Sequence, residues 1–202
     1  MALYTRTQAL DAARKRGATT AATASRMLRE SASAARNEYD VFLSHAYLDA
    51  KLVLGVKAII EAVGKTVYVD WIDDSQLDRE SVTAATAARL RERMRTCRAL
   101  VYATSRAATE SKWMPWELGF FDGHKSGARI AILPLVEQTD DTYSGQEYLG
   151  LYPTIEEVVA PSGLRRPYAM RYAPYHRYQR VVEARSLDSL VTGSPTYEAV
   201  RR

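Results

Sequence analysis

A glutamate among large apolar rings is the group in this sequence best placed to do chemistry. Residues 113–117 read WMPWE, and Trp113 and Glu117 share a face if the segment begins a helix, because residues four apart are neighbours there. Pro115 is tolerated in a first turn, and Ser111 can cap it. Near the positive end of the helix dipole, Glu117 would stay ionised. A carboxylate beside indole rings is suited to stabilising positive charge that develops on a bound sugar.

The composition bounds the class of protein. The 202 residues fit one domain with appendages, and a hydrophobic fraction of 47% suffices for a core. The single cysteine, Cys97, excludes an internal disulfide, and no CxxC or CxxH spacing indicates structural zinc. No apolar run approaches the roughly 20 residues of a membrane span, and no signal-peptide core is found. We therefore expect a cytoplasmic protein without membrane contact.

The net charge of +4 lies in the flanks of the chain. Residues 1–38 carry seven basic and three acidic groups, and residues 161–202 carry eight and three. The middle, 39–160, carries thirteen basic and eighteen acidic groups. A nucleic-acid-binding domain concentrates positive charge on its folded face. The acidic centre therefore argues against nucleic acid as a partner and favours basic, solvated flanks.

The two flanks differ in their expected structure. Residues 7–36 predict a polar helix interrupted near Gly17, so 1–38 is interpreted as an N-terminal helical arm that packs on the domain or on a second copy. Its composition weakly resembles a transit peptide, but the helical arm is favoured. Residues 161–202 are expected to form a C-terminal extension packing on the domain. It contains a Tyr/Arg-rich stretch at 168–182 and a short helix from Ser186.

Strands and helices alternate between the flanks. Short apolar runs predict four buried strands at 39–44, 66–70, 99–104 and 130–136, and helices at about 49–63, 81–96 and 114–124 lie between them. A weaker edge strand is expected at 149–153. Apolar strands with intervening helices predict an α/β fold: a parallel sheet of about five strands with helices on both faces.

Ligands of such sheets bind beyond the carboxyl ends of the strands. Three of these ends read Ser44-His45-Ala46, Asp70-Trp71 and Thr104-Ser105. The segment after the third strand leads directly to Trp113 and Glu117. The sequence therefore predicts that the glutamate faces the first two strand ends.

Three of these segments together resemble the TIR (Toll/interleukin-1 receptor) domain family. Residues 40–45, DVFLSH, are similar to its first box, and Asp70 with the acidic loop at 71–80 resembles its second strand and BB loop. Residues 111–118, SKWMPWEL, resemble the box with Ser, Trp, Glu and Leu at this spacing, although Met114 replaces the usual Cys. The resemblance runs from about residue 39 to about 151, so that 39–160 is interpreted as a TIR domain.

The resemblance implies a flavodoxin-like fold and, for many members, cleavage of NAD⁺ at the nicotinamide–ribose bond by a helix glutamate, here Glu117. Some members hydrolyse NAD⁺, and others make cyclic ADP-ribose or an isomer. Small stand-alone bacterial members resemble the signal-producing half of anti-phage systems such as Thoeris, where the product activates a separate effector. Self-association through TIR–TIR contacts is also implied.

The expected chemistry needs one carboxylate and a pocket. Glu117 would hydrogen-bond the ribose hydroxyls and stabilise the oxocarbenium-like ribose. The substrate-binding residues are expected to be Ser44, His45 and Ala46 at the first strand end, Trp71 on the loop that closes the pocket, and Trp113 as its wall. NAD⁺ is the substrate, no cofactor or metal is required, and the three histidines lack ligand spacing.

Structural explanations compete for most of these residues. Glu117 could be a solvated helix-start carboxylate, and Trp113 a core residue as readily as a pocket wall. Trp116 is assigned to the core. Ser44 could cap a turn, and His45 could be a hydrogen-bonded structural residue. Cys97 is expected to be a buried, small hydrophobic residue.

Three functions remain open at this point. The first is an NAD⁺-cleaving enzyme that makes a nucleotide signal. The second is a non-catalytic TIR scaffold that acts by assembly, and the presence of Glu117 favours the enzyme over it. The third is an enzyme resembling nucleoside deoxyribosyltransferases, whose related fold also places a carboxylate on an N-glycosidic bond, and the segment 40–45 argues against it.

Overall fold

Alternating strands and helices make up most of the chain. The computed structural model describes residues 2–33, 36–46, 50–70, 83–104, 111, 113–143, 145–160, 163–172 and 181–194. The strands are β1 Ala2–Thr5, β2 Tyr39–His45, β3 Val67–Val69, β4 Cys97–Thr104, β5 Ile130–Val136, β6 Thr154–Val159, β7 Arg165–Tyr172 and β8 Val181–Ser186. The helices are α1 Arg6–Lys15, α2 Ala21–Ser33, α3 Ala50–Glu61, α4 Ala84–Arg95, α5 Trp113–Lys125 and α6 Leu187–Thr192.

The eight described strands form one sheet in the order β3-β2-β4-β5-β1-β6-β7-β8. The first five of these run parallel to one another, whereas β6, β7 and β8 continue the sheet through antiparallel pairings with β1, β6 and β7. β6 also forms a short parallel pairing with β5. The order of β2 to β5 is that of the first four strands of a flavodoxin-like sheet. The predicted α/β fold, with a mostly parallel sheet and helices on both faces, is confirmed.

The two faces of the sheet bury separate cores, because successive side chains of a strand point to opposite faces. One core joins the sheet to α1, α2, α3 and α6, and its strand residues include Val41, Leu43, Val101, Ala103 and Leu133. The other joins the sheet to α4 and α5, and its strand residues include Phe42, Leu100, Tyr102, Ile130 and Ile132. Because these strands are buried on both faces, their sequences are continuous apolar runs, which is the pattern from which they were predicted.

The N-terminal flank contains the two expected helices and also a strand that the sequence did not predict. Gly17, with φ of 91°, separates α1 from α2 as expected. Residues 2–5 form β1 between β5 and β6, and Thr5 then caps α1 through a reciprocal bond with Gln8. A four-residue strand is too short to show a periodicity. The domain boundaries at 38/39 and 160/161 remain a prediction.

Two other expectations need correction or completion. The edge strand expected at 149–153 is wrong: residues Glu147–Leu151 form a 3₁₀ helix, and β6 begins only after Pro153, which has no N–H to donate to a sheet. The Tyr/Arg-rich stretch contributes strands β7 and β8 to the sheet. The short helix near residue 186 is confirmed as α6, with Ser186 as its N-cap. The acidic loop at 71–80 lies outside the described residues.

Within the described part of the chain, no helix combines the length and the apolar character that a membrane crossing requires.

Close packing of α1 on α3 depends on a glycine. A Cβ added to Gly55 of α3 would overlap the backbone carbonyl oxygen of Ala9 in α1. We expect Gly55→Ala to lower the free energy of unfolding by about 1–3 kcal/mol, because backbone atoms cannot move aside as a flexible side chain does. Denaturant-induced unfolding measures this effect.

Gly119→Ala is the matched control, because Gly119 is an exposed glycine inside α5 and a Cβ added there would meet nothing within 4 Å. This change should stabilise the protein by about 0.5–1 kcal/mol through helix propensity alone. Equal stabilisation by both changes would show that α1 does not pack on α3 in this way.

Candidate active site

The candidate site lies where the strand order reverses. β2 is flanked by β3 and β4, and ligands of doubly wound sheets bind at such a switch point, beyond the carboxyl ends of the strands. The register pairs Ser44 with Tyr102 and His45 with Ala103, so the ends of β2 and β4 are level. Helix α5 follows β4 in the chain and packs on the sheet face that carries Phe42 and Tyr102. The topology therefore brings residues from β2, β4 and α5 together.

Glu117 is the fifth residue of α5 and is 1% exposed. Its position differs from the expected one, because the first turn of α5 contains no acidic residue and the dipole effect falls off within that turn. Pro115 does lie in the first turn, and Ser111 Oγ accepts a hydrogen bond from the Met114 N–H at 3.3 Å, as predicted. The helix dipole therefore contributes less to Glu117 than the sequence indicated.

A hydrogen bond from β2 holds Glu117 in place. Ser44 Oγ donates to Glu117 Oε2 over 2.6 Å, and Ser44 is itself 1% exposed. Ser44 is therefore a direct partner of the glutamate, a role that the sequence analysis did not assign to it, and its assignment as a substrate-binding residue remains a prediction.

Trp113 and Ala46 lie against the same core as α5. Trp113 is buried, one helical turn before Glu117, and Ala46 is partly buried in that cluster. Trp116 is only partly buried: its ring meets Trp113 edge-on at 5.4 Å and stacks on Phe120 at 5.9 Å. The packing role assigned to Trp116 is consistent with these contacts. The roles of Trp113 and Ala46 toward a substrate remain predictions.

His45 is buried and follows Ser44 directly, so alternation along β2 places it on the opposite side of the strand. Its Nδ1 lies 3.0 Å from the carbonyl oxygen of Leu43. A carbonyl oxygen only accepts, so Nδ1 carries the proton in this bond. This contact supports the structural role considered for His45.

Trp71 lies outside the described residues. The substrate-binding assignments of His45 and Trp71 remain predictions.

A buried phenol that the sequence analysis did not assign to the site lies near the glutamate, and two further phenols lie near that first one. Tyr102 is 1% exposed, and burial raises its pKa far above the ordinary value, with further contributions from a hydrogen bond to Tyr148 and from the charge of Glu117. Burial also raises the pKa of Tyr143, which lies beside the Thr104 hydroxyl. These phenols stay protonated at neutral pH. Tyr102 could have been assigned to the site as the residue of β4 that pairs with Ser44 of β2. No periodic pattern in the sequence marks Tyr143 or Tyr148.

Two further expectations concern metals and thiol chemistry. Across the described residues, His, Cys, Asp and Glu side chains form no group of three that could hold a metal ion. Cys97 is fully buried at the start of β4, and this burial raises its pKa to about 12. A thiol with that pKa is neutral and unreactive at pH 7, as expected for a small hydrophobic residue.

The bond between Ser44 and Glu117 gives a test of the site's geometry. Ser44→Ala removes the hydroxyl that donates to a buried carboxylate, so we expect it to reduce the free energy of unfolding by about 1–3 kcal/mol. Denaturant unfolding of the purified variant measures this loss. Ser25→Ala deletes the same atom from a half-buried position on α2 and should change stability little. Equal stability of the two variants would contradict the bond.

Comparison with known proteins identifies two relatives, while no family model matches the chain. One relative, from Bacillus cereus (strain MSX-D12), is named "Probable 3' cyclic ADP-D-ribose synthase ThsB'" and is 56% identical over 118 residues, 58% of this chain and 60% of that protein. The other, from Cytobacillus dafuensis, is named "Putative cyclic ADP-D-ribose synthase TIR2" and is 36% identical over 86 residues, 41% of this chain and 22% of that protein. The chain is thus similar to parts of two proteins whose names describe cyclic ADP-D-ribose synthases.

Proposed function

We propose that this chain is a TIR-domain enzyme that cleaves NAD⁺ at the nicotinamide–ribose bond and makes a cyclic ADP-ribose-type signal. The observation that carries the proposal is the buried carboxylate of Glu117, which accepts the 2.6 Å bond from Ser44 near the carboxyl end of β2. The names of the two relatives, both cyclic ADP-D-ribose synthases, support the same product class. Because the chain spans three fifths of one relative and about a fifth of the other, the activity is a proposal for this protein.

The reaction breaks the bond between ribose C1′ and the nicotinamide nitrogen. The bonding electrons leave with nicotinamide and neutralise its positive charge, while the ribose becomes oxocarbenium-like. Glu117 would stabilise this cation and orient the ribose hydroxyls. Ser44 would fix the rotamer of Glu117 through its hydrogen bond. A fixed carboxylate needs no reorganisation when the charge develops, which is the source of the rate enhancement.

The acceptor decides between a linear and a cyclic product. Water gives ADP-ribose, whereas an atom of the same nucleotide gives a cyclic product. Water or a ribose hydroxyl releases its O–H proton to solvent as the new bond to C1′ forms, whereas a ring nitrogen attacks through its lone pair and has no proton to release. In the proposed site, the indole of Trp113 and the phenols of Tyr102 and Tyr143 would line the pocket and exclude water from the cation. Cyclisation is therefore favoured in the proposed reaction.

The biological setting follows from the product class. A diffusible cyclic nucleotide needs a receptor, so we place the chain in the cytoplasm as the signal-producing half of an anti-phage system with a separate effector protein. Self-association through TIR–TIR contacts is included in the proposal. A non-catalytic TIR scaffold is the alternative, and it would need Glu117 for neither assembly nor signalling.

Glu117→Gln tests the enzyme directly. The change keeps the size of the side chain and its acceptor for Ser44 but removes the charge, so we expect nicotinamide release to fall by about 10²–10³-fold. Purified protein is incubated with NAD⁺, with and without infected-cell extract, and the products are identified by mass spectrometry. Glu92→Gln, an exposed glutamate on α4, is the matched control and should keep full activity.

Each result of this experiment has a distinct meaning. If the Glu117→Gln variant were as active as wild type, the activity would stand and the site would be wrong. If wild type released no nicotinamide in either condition at high protein concentration, the scaffold would replace the enzyme. A product with the mass of ADP-ribose alone would restrict the activity to hydrolysis.

The self-association in this proposal predicts a dependence on protein concentration. A pocket that a neighbouring molecule completes is incomplete in the monomer, so specific activity should rise steeply with enzyme concentration. Initial rates measured over a wide dilution series check this point, with light scattering on the same samples. A specific activity that stays flat while the protein dissociates would remove assembly from the proposal.

A further inference from the structure

A second pocket lies at the opposite end of the sheet from Glu117. It encloses about 360 Å³ between the C-terminal ends of α1 and α2, one side of α3 and the amino ends of β2 and β3. Tyr39, the first residue of β2, contributes to its wall, whereas Ser44 and His45 are at the other end of that strand. Six residues of strand separate Tyr39 from His45, or roughly 20 Å. The pocket is therefore distinct from the candidate active site.

The lining of this pocket is strongly basic. It includes four cationic side chains and one carboxylate, namely Arg16, Arg36, Lys57, Lys65 and Glu61. They come from the C-terminal cap of α1, from α3 and from the segments before β2 and β3, so the chain fold gathers charges that are far apart in sequence. The volume lies within the range of small-ligand pockets.

The carboxylate in the pocket is shared by two of the cations. Lys57, whose side chain is 7% exposed, donates to Glu61 and also to the carbonyl oxygen of Val67 at 3.3 Å. Arg16 Nη2 approaches the other oxygen of Glu61 at 3.2 Å. A buried ammonium group is costly unless it is paired. One carboxylate for two cations leaves a positive excess at the base of the pocket.

Of the other two cations, Lys65 has its own carboxylate partner, and Arg36 adds to this excess. Lys65 pairs with Asp188, whose side chain is 72% exposed and lies outside the pocket lining. Arg36 is exposed, and its guanidinium group forms none of the ion pairs found among the described residues. The hydroxyl of Tyr39 accepts the backbone N–H of Arg36 at 3.2 Å, which leaves its own proton to donate.

We propose that this pocket binds the phosphate groups of a small phosphorylated ligand. Arginine and lysine side chains are the usual donors to phosphate, and a multiply charged anion would balance the positive excess that Glu61 leaves. The ligand would contact α1 through Arg16 and α3 through Lys57 at the same time. Its binding therefore fastens the N-terminal helices to the rest of the protein, at a site independent of the proposed NAD⁺ chemistry.

Calorimetric titration of the full chain with inorganic phosphate, pyrophosphate and ADP at low salt tests the proposal. Arg36→Ala should weaken pyrophosphate binding about tenfold, since it removes a charge-assisted hydrogen bond. Arg14→Ala is the matched control, because Arg14 is exposed on α1, pairs with Asp11 and does not line the pocket. This control should bind as wild type does. Tighter binding of ADP than of pyrophosphate would identify a nucleotide as the source of the phosphates, and the reverse order a free phosphate.

Glu61→Gln gives a prediction of the opposite sign. The change removes the carboxylate that competes for Arg16 and Lys57, so pyrophosphate should bind the variant more tightly than it binds the wild type.

Amide hydrogen exchange of the wild-type protein should slow in α1 and α2 when pyrophosphate is added and stay unchanged in α5. Absence of binding to all three probes at millimolar concentration, or equal losses in the Arg36 and Arg14 variants, would overturn the proposal. Nicotinamide release is not a readout of this test, so its outcome is separate from that of the Glu117 experiment.

Discussion

Burial of β2 on both faces is the constraint on which the rest of the structure depends. With one face packed on α3 and the other on α5, a shift of one residue would exchange every side chain between the two cores. The same alternation puts Phe42 and Ser44 on the α5 side and Leu43 on the other. Packing of the apolar residues fixes the register of β2 and thereby the positions of Ser44 and His45 at its end. The geometry of the site therefore depends on the packing of the core.

Helix α5 carries the other half of the site and is held from two sides. Its buried side includes Trp113, Glu117 and Phe121, whereas Trp116, Phe120 and His124 form a half-exposed stack along the other side. Arginines of α4 cover this stack, with Arg91 over Trp116 and Arg95 over Phe120 at 5.8 and 5.6 Å. Because α4 fixes the rotation of α5, the distance between Ser44 and Glu117 is set by contacts far from either residue.

The sequence predicted those features that follow from periodicity and from chain order. Strands buried on both faces are continuous apolar runs, and parallel order places their carboxyl ends at one edge, which brought Ser44 and Glu117 together in the prediction. β1 was missed because four residues, ALYT, show no period, and its pairing with β5 depends on residues 131 positions away. Tyr102 was predicted only as part of a buried strand, because an alternating strand does not reveal which buried phenol ends beside a carboxylate.

The positions of the charged residues could also be predicted only in part from the sequence. Counting charges located the positive excess in the flanks, and solvated flanks were the natural interpretation. In the structure, however, Arg16 binds Glu61 of α3, and β1 lies inside the sheet, so the N-terminal flank is joined to the central part of the chain. A carboxylate of the acidic middle is therefore partly neutralised by the basic flank. The net charge of a segment says how many charges it has, but only the fold decides whether they meet water, a partner residue or a ligand.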